Sequence, residues 1–138
     1  MPANQDHAHD VIAIGRSSVD LYGQQIGSRL EDIATFSKSV GGCPANIAVG
    51  TARLGLKSGL ITGVGAEQMG RFIIEQCARE GVATQGIKID KERLTALVLL
   101  AVEDEGVSPM IFYRPDCADM AITEDDVDEA FVRAAKSV

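Results

Sequence analysis

The sequence predicts an α/β protein: part of a central, mostly parallel sheet with flanking helices, and a small β lid. Three observations carry this. Val11-Ile12-Ala13-Ile14 is a continuous apolar run, the pattern of a strand buried on both faces, and residues 57–64 read as a second central strand. Gly41-Gly42-Cys43-Pro44 marks a place where an extended segment becomes a helix, and a second helical pattern follows the second strand. Residues 19–40 and 94–114 are β-capable but hold no helix, which separates them from the central sheet as a lid.

The elements follow in order. The run 11–14 ends at Gly15, and Arg16-Ser17-Ser18-Val19-Asp20 lies at its carboxyl end, where open α/β sheets place ligands. Asp20 is therefore a candidate acceptor for substrate hydroxyls, although a loop-exposed carboxylate satisfies the same spacing. Leu21-Tyr22-Gly23 and residues 35–40 read as strands of an antiparallel flap with one face open to solvent. After the glycine pair, 45–54 reads as a helix with Ile47, Thr51 and Leu54 on one face. A helix carrying Met69, Phe72, Ile73 and Cys77 follows and stops at Gly81. A short strand spans 86–89. Residues 95–102 and 109–114 form a hairpin across the acidic turn Glu103-Asp104-Glu105-Gly106. Thr123 caps a last helix, with Glu124, Asp125 and Asp126 in its first turn and Val127, Ala130, Phe131 and Ala134 on its apolar face. No strand follows that helix, so the sheet is expected to present a bare apolar edge.

Composition narrows the function classes. A length of 138 residues fits one domain or part of a larger one, with residues 1–9 expected as a disordered tail. Thirteen basic against twenty acidic residues give a net charge of −7, which excludes a general nucleic-acid surface. No apolar run reaches membrane-spanning length, and no membrane partner is expected. Cys43, Cys77 and Cys117 are scattered, as in a reduced cytoplasmic protein. His7 and His9 have no third ligand nearby, and the Glu124–Asp128 acids have a capping role, so no metal site is assigned.

Gly41 and Gly42 allow a ligand to approach the backbone closely, and Asn46 in the first helical turn offers both a donor and an acceptor. Gly-Gly-x-Pro is also an ordinary loop-to-helix entry. Two other phosphate signatures fail. Gly63-Val64-Gly65 has Gln68 where a dinucleotide fingerprint needs its third glycine, and no Gly-Lys-Ser/Thr of a P-loop occurs.

Gly41-Gly42-x-Pro44-Ala45-Asn46-Ile47-Ala48 with Gly55 and Gly65 resembles the first signature of the ribokinase/pfkB carbohydrate kinases. Gly15-Arg16-x-x-x-Asp20-Leu21, Thr35-Phe36-Ser37-Lys38 and Tyr113-Arg114-x-x-Cys117-Ala118-Asp119 extend the match over residues 10–138. The resemblance implies the amino-terminal half of a ribokinase-like fold, in which Asp20, Gly41, Gly42 and Asn46 line a sugar pocket. Arg114 would face the carboxylate of a keto-deoxy sugar acid; a lid arginine paired with Asp116 or Asp119 is the alternative. ATP and Mg²⁺ are implied for the parent enzyme. The family's Gly-Ala-Gly-Asp turn with its catalytic Asp and its Asn-x-x-Glu motif do not occur in residues 1–138, so this chain is expected to be an inactive fragment by itself. A non-catalytic sugar-binding module, or a homodimer formed through the lid, is the alternative function.

Overall fold

The structure, a computed structural model, describes residues 7–103 and 109–138. Strands β1 (Val11–Ile14), β4 (Ser58–Gly65) and β5 (Ile87–Asp90) form a three-stranded parallel sheet in the order β1-β4-β5. Every residue of β4 is buried, as a central strand covered on both faces requires. Helices α1 (Cys43–Arg53) and α2 (Gln68–Arg79) cover one face. There Leu60 and Val64 pack with Ala45, Ala48, Ile73 and Cys77. On the other face Ile12 and Ile61 meet Phe131 of the short helix α3 (Glu129–Arg133).

The lid is a separate four-stranded sheet in the order β3-β2-β6-β7, built from β2 (Ser18–Gly23), β3 (Phe36–Gly41), β6 (Leu97–Leu100) and β7 (Met110–Tyr113). The expected antiparallel pairings of β2 with β3 and β6 with β7 are present. The central pair, β2 with β6, is parallel, so the lid is mixed rather than wholly antiparallel. The chain between those strands runs through β3, α1, β4, α2 and β5, long enough for the crossover that a parallel pair needs. Val19 joins the core beneath the lid, with Leu21, Val40 and Leu97 packed against it. The acidic turn expected over 103–106 lies outside the described residues from Asp104 onward, as do residues 1–6 of the expected tail.

Three expectations change. The face of α1 that packs inward is Ala45 and Ala48, while Ile47 and Leu54 are 52% and 83% exposed. Small residues win this face because the helix lies close against β1 and β4. The last helix does not begin after Thr123. Thr123 and Asp126 close a capping box around a single 3-10 turn, Val127 is extended, and Asp128 caps α3 afresh. Finally, the outer edge of β1 is not bare. His9 N–H donates to Ala134 O, Lys136 N–H to His9 O and Ile12 N–H to Ser137 O, all at 3.0–3.1 Å. His9 also sets its ring edge-on to Phe131 at 4.9 Å, so it is tied to the fold rather than lying in a loose tail. Among the described residues no helix is long and apolar enough to cross a membrane.

Candidate functional site

The carboxyl ends of β1 and β4 meet the start of the lid at a cluster of buried polar groups. Ser17 and Thr62 share a hydrogen bond of 3.0 Å between their hydroxyls, and both are wholly buried. Immediately beside them, Gly42 has φ +95°, and a Cβ there would stand 2.5 Å from the Arg16 carbonyl oxygen. Gly42 is thus required both by its left-handed backbone and by the approach of the β1–β2 loop. It precedes α1 without supplying a capping side chain, and Pro44 occupies the helix's first turn.

Asp20 lies against the neighbouring glycine: a Cβ on Gly41 would overlap its carboxylate. Ser18 Oγ donates to Asp20 Oδ1 at 2.8 Å and orients it. Strand register shows what shares that face. Gly41 pairs with Ser18, and Ser39 with Asp20; Asp20 pairs with Val98, and Val98 with Phe112. Side chains alternate along a strand, so Asp20, Ser39, Val98 and Phe112 stand on one face while Val19 and Leu21 enter the core. Arg114 lies one residue beyond the end of β7. The Arg16 guanidinium lies over the Phe112 ring, 5.6 Å from its centroid. Arg114 Nε donates to Asp119 Oδ2 at 2.8 Å, while Asp116 pairs instead with Arg93 at 3.0 Å.

Asn46 is exposed and lines a different hollow, a cavity of ≈ 320 Å³ between β3, α1 and α2, shared with Lys38, Phe72 and Gln76 among others. Lys38 Nζ sits 4.0 Å over the Phe72 ring there, and Arg53 closes a two-point ion pair on Glu80 at 2.6 Å and 2.7 Å. Asp20 and the two glycines do not line this cavity. The structure therefore joins Asp20, Gly41 and Gly42 closely, with Asn46 in a separate hollow and Arg114 held by Asp119 beyond β7.

Glu67 was passed over by sequence reasoning. It caps α2 by accepting from Met69 N–H at 2.6 Å, and its other oxygen accepts from the Thr95 N–H at 3.0 Å and from the Thr95 hydroxyl. Burial pushes this carboxyl up, but the hydrogen bonds from Thr95, Met69 and Gly70 outweigh it and hold it below the ordinary value. Its place, two residues after a strand-ending glycine and just before a helix, was the available signal. Among the described residues no three His, Cys, Asp or Glu side chains gather as a cation site.

A comparison with known families agrees with this architecture: residues 8–138 match the pfkB family carbohydrate kinase description. The chain belongs to the pfkB family of carbohydrate kinases. It is 39% identical over 137 residues to the 5-dehydro-2-deoxygluconokinase of Geobacillus kaustophilus, covering 99% of this chain and 41% of that protein. The Bacillus subtilis protein of the same name is 37% identical, with 96% and 41% covered. Among solved structures, an uncharacterised sugar kinase from Pyrococcus horikoshii in complex with ATP superposes with a TM-score of 0.82 at 36% identity, covering 88% of this chain and 40% of that one. A PfkB protein from Polaromonas sp. JS666 reaches a TM-score of 0.87 at 30% identity, with 93% and 43% covered. The chain thus spans about two-fifths of the length of the curated relatives it matches. The expected family and ribokinase-like fold are both borne out.

Proposed function

We propose that this chain forms the acceptor-sugar side of an ATP-dependent kinase. Its substrate would be 5-dehydro-2-deoxygluconate or a related keto-deoxy sugar acid, phosphorylated at a primary hydroxyl. The observation that carries the proposal is the Asp20 carboxylate, oriented by Ser18 and lying against the Gly41 backbone. The names of the curated relatives support the substrate class.

In this proposal the Asp20 carboxylate, oriented by Ser18, accepts hydrogen bonds from sugar hydroxyls. Gly41 and Gly42 let the sugar reach the backbone, Asn46 adds an amide at the rim, and Arg114 takes the acid group. ATP, bound with Mg²⁺ by the rest of the parent protein, supplies the phosphoryl group. The chain by itself binds the sugar without transferring phosphate, since catalysis of this reaction is mostly positioning and charge stabilisation around the phosphates. Titration of the purified chain with 5-dehydro-2-deoxygluconate, followed by NMR, tests the reading. Saturable shifts at Asp20, Gly41 and Gly42 are expected, lost in Asp20→Asn. No shifts, or sugar-dependent ATP consumption by the repurified chain, would overturn it.

Self-association through the lid is a second reading, favoured by β7: all four of its residues are exposed, Met110, Ile111, Phe112 and Tyr113 among them, on the outer edge of the lid sheet. Sedimentation of the wild type against Ile111→Lys distinguishes it, a monomer in both cases removing the dimer.

A further inference from the structure

We propose that Asp119 is a positioning residue for Arg114. It holds the guanidinium by Nε, so that the two terminal nitrogens present a fork to an anionic group beside the lid. This rests on the sugar-acid reading above and names the part of the chain that would make the site selective for acids.

The two partners differ sharply in exposure: the Arg114 side chain is 36% exposed and that of Asp119 is 0%. Arg114 uses only Nε, at 2.8 Å, and neither Nη has a hydrogen-bond partner among the described residues. Guanidinium is planar, so fixing Nε fixes the plane, and the free Nη edge is the one that matches a carboxylate in two-point contact. Asp119 itself is presented by rigid backbone. It lies in the 3-10 turn Ala118–Met120, which docks on the central sheet at Gly63, where a Cβ would collide with the Ala118 carbonyl. Ala118 N–H also donates to Leu94 O at 2.9 Å. The pair therefore ties a lid residue to the sheet.

An incidental ion pair would look different. Arg93–Asp116, nearby, leaves its carboxylate 85% exposed, free to exchange its partner for water. Asp119 has no such choice, because Oδ1 is buried with no partner among the described residues and Arg114 alone answers the carboxylate. A buried acid with one oxygen left open is costly unless its charge is used to hold something.

Purified chain is titrated with gluconate and with glucitol, a neutral polyol of the same length, while the Arg114 Nε–H resonance and the melting temperature are followed. Wild type should bind gluconate at least tenfold more tightly than glucitol, with the Nε–H protected from exchange. Asp119→Asn should lower gluconate affinity about tenfold, leave glucitol within twofold, and expose the Nε–H. Arg114→Lys should erase the preference, since an ammonium offers no fork. Should Asp119→Asn fail to fold, Asp119→Glu keeps the charge while displacing the fork, and it too should lose the preference. Retained preference in either Asp119 variant overturns the proposal, and so does equal weakening of both ligands. A wild type that binds the two equally sinks the sugar-acid reading and this proposal together. A wild-type preference untouched by the Asp119 changes sinks this proposal alone.

Discussion

A methyl group at Gly42 would meet a backbone oxygen that cannot move aside, in a conformation that side chains rarely adopt. Gly42→Ala should therefore cost about 2 kcal/mol, above the ordinary penalty for alanine at positive φ, read as a shifted urea midpoint at unchanged slope. Gly55, also at positive φ, has open space around its Cβ position, so Gly55→Ala should cost less, about 1 kcal/mol. A second residue-scale prediction concerns acid. Lys88 donates to Asp126 at 2.8 Å, and with the Thr123 N–H this lowers the Asp126 carboxyl from 3.8 to about 2. Because the folded value lies below the unfolded one, the stabilisation is complete above pH 3.8 and is lost as pH falls through about 2. Lys88→Met should flatten the acid-unfolding curve across that window, followed by circular dichroism at fixed urea, and leave its shape near neutrality unchanged.

At the scale of elements, α1 separates apolar character from burial. Its fully buried residues are Ala45 and Ala48, with Val49 packed beside them, while Ile47 points outward. Ile47→Lys should change stability by less than about 0.5 kcal/mol, as expected of an exposed site. Ala48→Leu should cost about 1–3 kcal/mol by overpacking the helix against β1 and β4. Chemical denaturation of the two variants side by side checks the assignment, and the reverse order would place α1 with its other face inward. Glu67 acts at the same scale: one carboxylate caps α2 and fastens residue 95, just ahead of β6, so the central sheet and the lid share a joint.

For the molecule as a whole, Phe131 is the point where the last part of the chain is fastened. Its ring fills the space beside Gly59 and Gly86, where a Cβ at either position would stand within 3 Å of it, and it packs with Ile12, Ile61 and His9. Residues 134–137 then run along the edge of β1. Phe131→Ala should cost about 3–5 kcal/mol as a large-to-small core change. It should also release that edge, so the Ile12 amide, bonded to Ser137 O, should exchange faster with solvent than the amides of β4. Equal protection in the variant would mean that the edge holds without the aromatic anchor.

What the residues declared by themselves were features whose physical cause is local or periodic. The segment 57–64 is readable as a central strand because it shows no regular polar alternation, as burial on both faces allows. The Gly-Gly-x-Pro turn is readable because backbone geometry demands those residue types. Features that depend on two distant segments meeting were not readable. No pattern in α1 says that the helix approaches the sheet closely enough to prefer alanine, and no spacing says that β2 and β6 run parallel. The choice of Asp119 over Asp116 as the partner of Arg114 lay open in the sequence, since both stand a few residues away. It was decided by the docking of residues 118–120 at Gly63, which buries one carboxylate and leaves the other in water. Charge pairing depends on solvent exposure, and exposure is a property of the packed chain.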